Sequence, residues 1–547
     1  MLTHGWKSAS CPPDVEDQFV ARPVQVQQEF IAIRTRAVYR ELSKLDVNKS
    51  TGPDQVGARI LKELAHELAI PVAILSRRML YEGCWPALWR VHHLAPVYKR
   101  KSVYNANNYR GVHLTATLSK AVERVIGNPL IAYLQQFGYG TNQWGFRKSC
   151  SARDLTFVCV SSWILAICSG FKIGAYLSDI TSAFDRVFKD YLLAKLHSVG
   201  IADVFLDFLS SYLEPRIGHV RVDGILSEAF ELCNTVFQGT VLGPALWNVF
   251  FHDVAFPASC HGGKEAMFAD DLNVFKKFPQ HTSIHVVESD MSVTKAEVHR
   301  WGKRNRVTFD ASKEHLVIIH PVSGRGDDFK FLGCLFDVFL KMNHAIDAVV
   351  SIARPKVNAM LRTRGLYASH ATMIMQYKTH IWGITEYPNG AILHASNTAL
   401  AKLDRLQHHY VNELHLTAEV AFLDHNFAPP SLRRQIGVLG FLHKRVLGNC
   451  HPEIASLLPF MDANGPWHNK QLYGHMDKCV TRWPLFLRSL FGMVQVYNRL
   501  PQVFIDIDNV SLFQRELTSV ARAYCSNGNA RWPSLYQSDA EVQRLVF

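Results

Sequence analysis

Two adjacent carboxylates, Asp270 and Asp271 in MFADDLNVF (267–275), are the first feature able to do chemistry. The short apolar runs on either side read as strands, so the pair occupies the two-residue gap of a hairpin. Such turns favour Asn-Gly, Asp-Gly or Gly-Gly because they need positive φ. Two aspartates there fit either a solvated surface turn or a site that needs paired oxygen donors. A further acidic position lies in GAYLSDITSAFDRVFKDYLLAKLHSVG (174–200), where a strand ends at Leu177 and Asp179 follows it. Strand ends that open into loops are favoured places for functional groups. Ser182 and Asp185 have capping-box spacing, so Asp185 reads as a cap. The helix it opens carries Phe184, Val187, Phe188, Tyr191, Leu192 and Leu196 and stops at Gly200. Three carboxylates gathered without a cation would repel and raise one another's pKa. Gathered around two Mg²⁺ ions about 3.5–4 Å apart, they would suit phosphoryl transfer to a nucleotide.

Elements of several kinds must position these groups. Between about 173 and 335, strand-like runs (IGAYL, HVRVD, AMFA, LNVF, LVIIH, FKFLG) alternate with helical stretches. From 341 onward the apolar residues recur at three- and four-residue steps, as in AIDAVVSIARPKVNAMLRT and NTALAKLDRLQHHYVNEL, which predicts helices. The expected fold class is therefore α+β followed by an α-rich region. Gln238-Gly239 in TVFQGTVLGPALWNVFFHDV (235–254) predicts a tight turn, and Pro244 suits the start of a buried helix.

With 547 residues, two to four domains are expected. A net charge of +12 favours a polyanionic partner such as nucleic acid or an anionic surface. The 11 scattered cysteines argue against a disulfide framework and for an intracellular compartment. His451, His468, His475 and Cys479 fit no common zinc spacing. The most apolar window, FVCVSSWILAIC (157–168), is shorter than the ~20 residues of a membrane span and predicts a buried helix. No secretory signal is expected from the N-terminus.

The ordered succession of these blocks resembles the reverse transcriptases of non-LTR (LINE-type) retrotransposons. DITSAFDRV resembles the first palm motif, QGTVLGP the second, and FADD the YADD-type signature with Phe268 in place of tyrosine. Upstream, NKSTGPDQVGARILK (48–62), NNYRGVHLTATLSKAVERVI (107–126) and QWGFRKSCSARD (143–154) resemble the N-terminal and finger blocks. NYRG stands where NYRP is more usual, Phe237 precedes Gln238, and FDASK (309–313) lacks the asparagine often found before the lysine. None of these departures removes an acidic residue.

The resemblance implies a right-hand polymerase of fingers and palm with an antiparallel sheet (45–340), after an N-terminal extension (1–44). A helical thumb-like region (341–435) and a C-terminal helical region of unknown role (436–547) would follow. It implies RNA-directed DNA polymerisation with Asp179, Asp270 and Asp271 holding two Mg²⁺ ions. Phe184 would be a steric gate against the ribose 2′-hydroxyl; a core aromatic is the competing reading. Gln238 and Gly239 would meet the incoming nucleotide, and Lys99 and Arg110 the triphosphate, against a merely solvated run for Lys99 to Lys101. Lys313 would serve the leaving pyrophosphate, against a surface lysine, and Arg147 would touch template, against a merely exposed arginine. Phe331, Leu332 and Gly333 would form a primer grip, against ordinary strand core for Phe331. Arg354, Lys356, Arg362, Arg364 and Lys378 would track the template–primer backbone or be solvated. The implied partners are RNA template, DNA primer, dNTPs and an element RNA in a ribonucleoprotein, with no membrane; the nucleus is the expected location. With about 44 residues ahead of the first block, no endonuclease is expected there. Two other readings stay open: a non-catalytic RNA-binding remnant, and a maturase-type enzyme of mobile introns.

Overall fold

The computed structural model describes residues 32–99, 102–180, 183–233, 236–259, 262–366, 369–461 and 467–537. In chain order the strands are β1 (Val91–Tyr98), β2 (Tyr109–Leu114), β3 (Phe171–Ser178), β4 (Arg216–Val222), β5 (Ile225–Leu226), β6 (Phe230–Leu232), β7 (Lys264–Phe268), β8 (Asp271–Pro279), β9 (His315–Ile319), β10 (Phe329–Phe331) and β11 (Cys334–Phe336). Helices fill most of the remainder, and the class is α+β as expected. None of the described helices is long and apolar enough to cross a membrane.

Contacts divide the chain into two interleaved units. One comprises the residues up to Phe146, Asp179–Ala258 and Ala296–Ser312; the other comprises Arg147–Ser178, Ser259–Lys295 and the chain from Lys313.

The first unit carries the sheet β2-β1-β4-β5, with β6 also paired to β4. β1 runs antiparallel to β2 and parallel to β4. The same unit holds helices Thr35–Ser43, Ala65–Tyr81, Thr117–Tyr133, Lys189–Ser198, Asp203–Tyr212 and Gly243–Phe251, which pack on one another. The last has Pro244 in its first turn and is buried almost all round, as its apolar sequence predicts. The helix expected from residue 184 starts later. Ala183–Arg186 form a single 3₁₀ turn, Phe188 has extended backbone, and the α-helix runs Lys189–Ser198. The Phe188 ring lies 4.2 Å beneath the Arg306 guanidinium, which favours holding it out of the helix. Ser182 and the Asp185 side chain lie outside the described residues, and with them the expected cap.

The second unit is built on a fully antiparallel sheet, β7-β8-β3-β9. Helix Ala152–Cys168 packs on β3 and is buried on nearly every face, so its apolar run serves a core. Helices Asn343–Arg362 and Asn397–Glu413 match the predicted periodic segments. Further along, His451, His468 and His475 are buried, and each makes a hydrogen bond to a backbone group.

Lys195 is 1% exposed in the first unit. Its ammonium donates to the Phe250 carbonyl (2.6 Å) and to the Asp253 carboxylate (2.8 Å), which also accepts from the Trp301 indole (2.9 Å). Removing one partner of a buried pair strands the other charge. Lys195→Ala is therefore expected to cost about 3 kcal/mol of stability, read by urea denaturation at pH 7. A loss below ~1 kcal/mol, the scale of a solvent-exposed pair, would show that water replaces the ammonium.

Candidate functional site

In the first unit, the Gln238-Gly239 turn is held by backbone and by buried polar groups. Gly239 has φ 104°, and a Cβ there would meet the His113 carbonyl oxygen at 2.8 Å, so both conformation and close approach require glycine. The His113 N–H donates to the Gln238 carbonyl at 2.9 Å. Beneath the turn, His92 and His113 are paired through their Nδ1 atoms (3.1 Å), and both rings pack on Phe237. The Gln238 Oε1 is shielded from solvent and accepts no hydrogen bond among the described residues. A buried acceptor in that state is costly unless something else satisfies it.

Glu123 stands inside the block NNYRGVHLTATLSKAVERVI, which assigns it no role, yet it anchors the same segment. This carboxylate is 2% exposed on helix Thr117–Tyr133. Its Oε1 accepts from the Tyr212 hydroxyl (2.6 Å) and from the N–H groups of Val241 (2.8 Å) and Leu242 (2.8 Å). Those N–H groups stand just ahead of helix Gly243–Phe251, where a negative charge is favoured. The only sequence signal was an acidic residue on an otherwise buried helical face.

Phe184 is half-buried, its ring stacked on Trp247 (centroids 5.8 Å, 22°) with the Phe146 ring edge-on (6.4 Å, 88°). Asp179 is partly buried, and its carbonyl accepts from the Asp310 N–H (2.9 Å) while Ile180 bridges Phe309. β1 and β2 pair Val97 with Arg110, and the Lys99 N–H donates to the Asn108 carbonyl (2.8 Å). Side chains alternate along strands, so this register puts Lys99 and Arg110 on one face of the hairpin, both exposed. Arg100 and Lys101 lie outside the described residues.

In the second unit, the acidic hairpin is shifted by one residue from expectation. β7 and β8 pair Phe268 with Asp271, so the two turn residues are Ala269 and Asp270, and Asp271 opens the strand. Ala269 bears the positive φ, 57°, a conformation costing about 1–2 kcal/mol for a residue other than glycine. Next to it, β8 pairs Leu272 with Ser178, the last residue of β3. Lys313 is exposed in the turn before β9. In the β10–β11 hairpin, Phe331 is 1% exposed among Trp163, Phe275 and Phe336. Its ring is core, and the turn that follows is Leu332 (φ 49°), which is buried, and Gly333 (φ 80°), which is exposed. Tyr387, which motif reading also missed, donates its hydroxyl to the Leu332 carbonyl at 2.7 Å.

The basic residues of the helical region divide by environment. Arg364 pairs with Glu413 (3.0 Å), and Lys378 donates to the His425 carbonyl (2.7 Å). Arg354 instead lines a cleft of about 600 Å³ between helices Asn343–Arg362 and Asn397–Glu413, together with Lys402, Arg405 and His409. Lys402 is paired with Asp347 (2.6 Å), whereas Arg354 and Arg405 hold no ion pair or hydrogen bond among the described residues.

The donor chemistry of Asp179, Asp270 and Asp271 suits a hard divalent cation. Among the described residues, no three His, Cys, Asp or Glu side chains are gathered ready to hold a metal ion.

Residues 98–336 match the family of reverse transcriptase (RNA-dependent DNA polymerase), a span that holds every candidate residue from Lys99 to Gly333. That matched span is somewhat under half of the chain. Enzymes of this family use divalent metal ions, and act on a nucleic-acid template and primer. The chain is similar to the RNA-directed DNA polymerase from mobile element jockey of Drosophila melanogaster, at 26% identity over 63% of this chain and 39% of that protein. It is also similar to two proteins of the same species, named as probable RNA-directed DNA polymerases from transposon BS (29%, over 46% of this chain and 28% of that protein) and from transposon X-element (28%, over 49% and 30%). The chain thus spans well under half the length of these curated relatives.

Acid should loosen the first unit around the Gln238 turn. Burial, with the charges of Arg216 and Lys120 adding to it, lowers His113 from the ordinary 6.5 to about 4. The unfolded chain binds that proton below about 6.5, the folded state only below about 4, so stability rises with pH across this window. Full above the upper value, it should fall by about 3 kcal/mol on reaching the lower. Denaturant titrations across that range measure the slope, and a flat profile would mean that solvent reaches the histidine pair.

Proposed function

We propose that this chain is the RNA-directed DNA polymerase of a non-LTR retrotransposon, extending a primer 3′-hydroxyl with deoxynucleotides on an RNA template. The observation that carries the reading is a register: β3 ends at Ser178 opposite Leu272, the neighbour of Asp271, and Asp179 is the next residue of the chain. The turn spends a strained Ala269 to present Asp270 beside Asp271, a cost that persists where function requires it. In this reading Asp179, Asp270 and Asp271 hold the metal. Two Mg²⁺ ions bound there would activate the 3′-hydroxyl and steady the leaving pyrophosphate.

The other residues then take distinct roles. Lys99 and Arg110 receive the triphosphate by charge-assisted hydrogen bonds. Gln238 satisfies its buried amide oxygen on the incoming nucleotide or a water that the nucleotide orders, and Gly239 lets backbone come close to it. Phe184 closes the space where a 2′-hydroxyl would stand. Lys313 donates a proton toward the departing pyrophosphate. The Leu332-Gly333 turn, steadied by Tyr387, presents backbone to the primer terminus.

In polymerase terms, residues 45–340 form fingers and palm and 341–435 the thumb, with 436–547 unassigned. The Arg354–Arg405 cleft would follow the phosphate backbone of the template–primer. The enzyme would act in the nucleus, where primer DNA lies, as a ribonucleoprotein with its element RNA.

Primer extension on an RNA template with Mg²⁺ tests the core of this. Wild type should extend, and Asp270→Asn should lose on the order of 10²–10³-fold, the scale of removing one transition-state stabiliser. No extension by wild type, with salt-sensitive RNA binding retained, would favour a binding remnant. Equal extension by both would remove Asp270 from the site.

For the cleft, the double change Arg354→Ala with Arg405→Ala should weaken template–primer binding and flatten the log K against log salt plot by roughly 1.4–1.8, two phosphate contacts' worth. An unaltered slope would place the duplex elsewhere.

A further inference from the structure

Phe146 is an aromatic residue held in the wrong conformation for an aromatic residue, and nothing in its own burial repays it. Its φ is 60° and it is 48% exposed. The left-handed region costs about 1–2 kcal/mol for residues with a side chain, and glycine avoids that cost. The segment before it is firmly anchored. Gln143 and Trp144 are buried to 1% and 0% exposure. The Gly145 N–H donates to the Gln143 Oε1 (2.8 Å), and its carbonyl accepts from the Asn248 amide (3.0 Å). Asn248 is itself fully buried and follows Trp247, the residue on which Phe184 stacks.

A single helix, Gly243–Phe251, therefore supplies both the flat support beneath Phe184 and the bond that fixes the loop carrying Phe146. The one described ring contact of Phe146 is its edge-on approach to Phe184, at 6.4 Å and 88°. Strained residues persist where surrounding structure over-determines them, and they concentrate at ligand sites.

We infer that Phe146 is a specificity-determining residue, the second wall that keeps the Phe184 ring upright against the sugar of the incoming nucleotide. Trp247 blocks retreat of the ring on one face, and Phe146 blocks its swing at the edge. Without Phe146 the Phe184 ring gains room to turn, and a ribose 2′-hydroxyl gains space. This rests on the reading of Phe184 as a sugar gate, and the experiment separates the two.

The readout is the ratio of kcat/KM for a deoxynucleotide to that for the matching ribonucleotide, in primer extension by wild type, Phe184→Val, Phe146→Gly and Phe146→Tyr. Phe146→Gly relieves the positive φ, so the fold should hold or gain stability, which a thermal melt checks. Its selectivity should nonetheless fall roughly three- to tenfold, the worth of one aromatic edge contact. The fall should lie mainly in a lower KM for the ribonucleotide, with deoxynucleotide kcat unchanged. Phe146→Tyr keeps the ring and should keep wild-type selectivity, while Phe184→Val should relax it furthest.

Wild-type selectivity in Phe146→Gly, beside a relaxed Phe184→Val, overturns the role of Phe146 and leaves the gate standing. Unchanged selectivity in both overturns the gate and, with it, the inference. Relaxed selectivity in Phe146→Tyr, or loss of all extension in Phe146→Gly alone, also overturns it, since a wall needs only a ring and is not required for chemistry.

Discussion

Eight consecutive residue pairs, from Phe171↔Pro279 to Ser178↔Leu272, lock β3 to β8, while β9 pairs β3 along its other edge. Side chains alternate across a strand with period two, so a slip of one residue would turn every side chain to the opposite face. The sheet cannot slip. Every residue of β3 after Phe171 is buried, and a shifted register would drive Lys172 and Ser178 out of the hydrogen bonds they make with Thr282 and Leu272. The position of the acidic hairpin follows from this ladder, because β8 begins at Asp271 and its turn is only two residues long.

Buried polar groups set the second constraint. Glu123 binds two backbone N–H groups ahead of helix Gly243–Phe251, and the His92–His113 pair underlies the Gln238 turn. Each would be expensive if left unsatisfied. Apolar packing alone would let that segment settle in several ways, whereas directional bonds to a fixed carboxylate and a fixed backbone N–H define one. The same helix carries Trp247 and Asn248, so the surroundings of Phe184 are fixed by the same anchor.

Much of the architecture was legible where local pattern and burial agree. The runs IGAYL and LNVF lie within strands, LVIIH outruns β9 by one residue, and the periodic segments after residue 341 are helices. Errors fell where two local signals competed. The Asp270-Asp271 pair looked like the turn because it is the polar gap, yet pairing of Phe268 with Asp271 moved the turn to Ala269-Asp270. Ser182 and Asp185 looked like a helix opening, yet the α-helix starts at Lys189, after Phe188 is drawn to Arg306. The Phe331 ring is 1% exposed, as its strand-core reading expects.

The order and chemistry of the acidic, basic and glycine-rich blocks, and the class of domain they announce, were determined by the amino-acid sequence itself. Those features depend on residue type and on short-range periodicity, which a chain carries before it folds. Only the tertiary structure decided that Glu123 would grip Val241, 118 residues away, that Tyr387 would brace the Leu332 turn, and that Phe146 would face Phe184. Contacts of that range are chosen by which closures bury the most surface while leaving the fewest polar groups unpaired. No window of neighbouring residues contains that comparison.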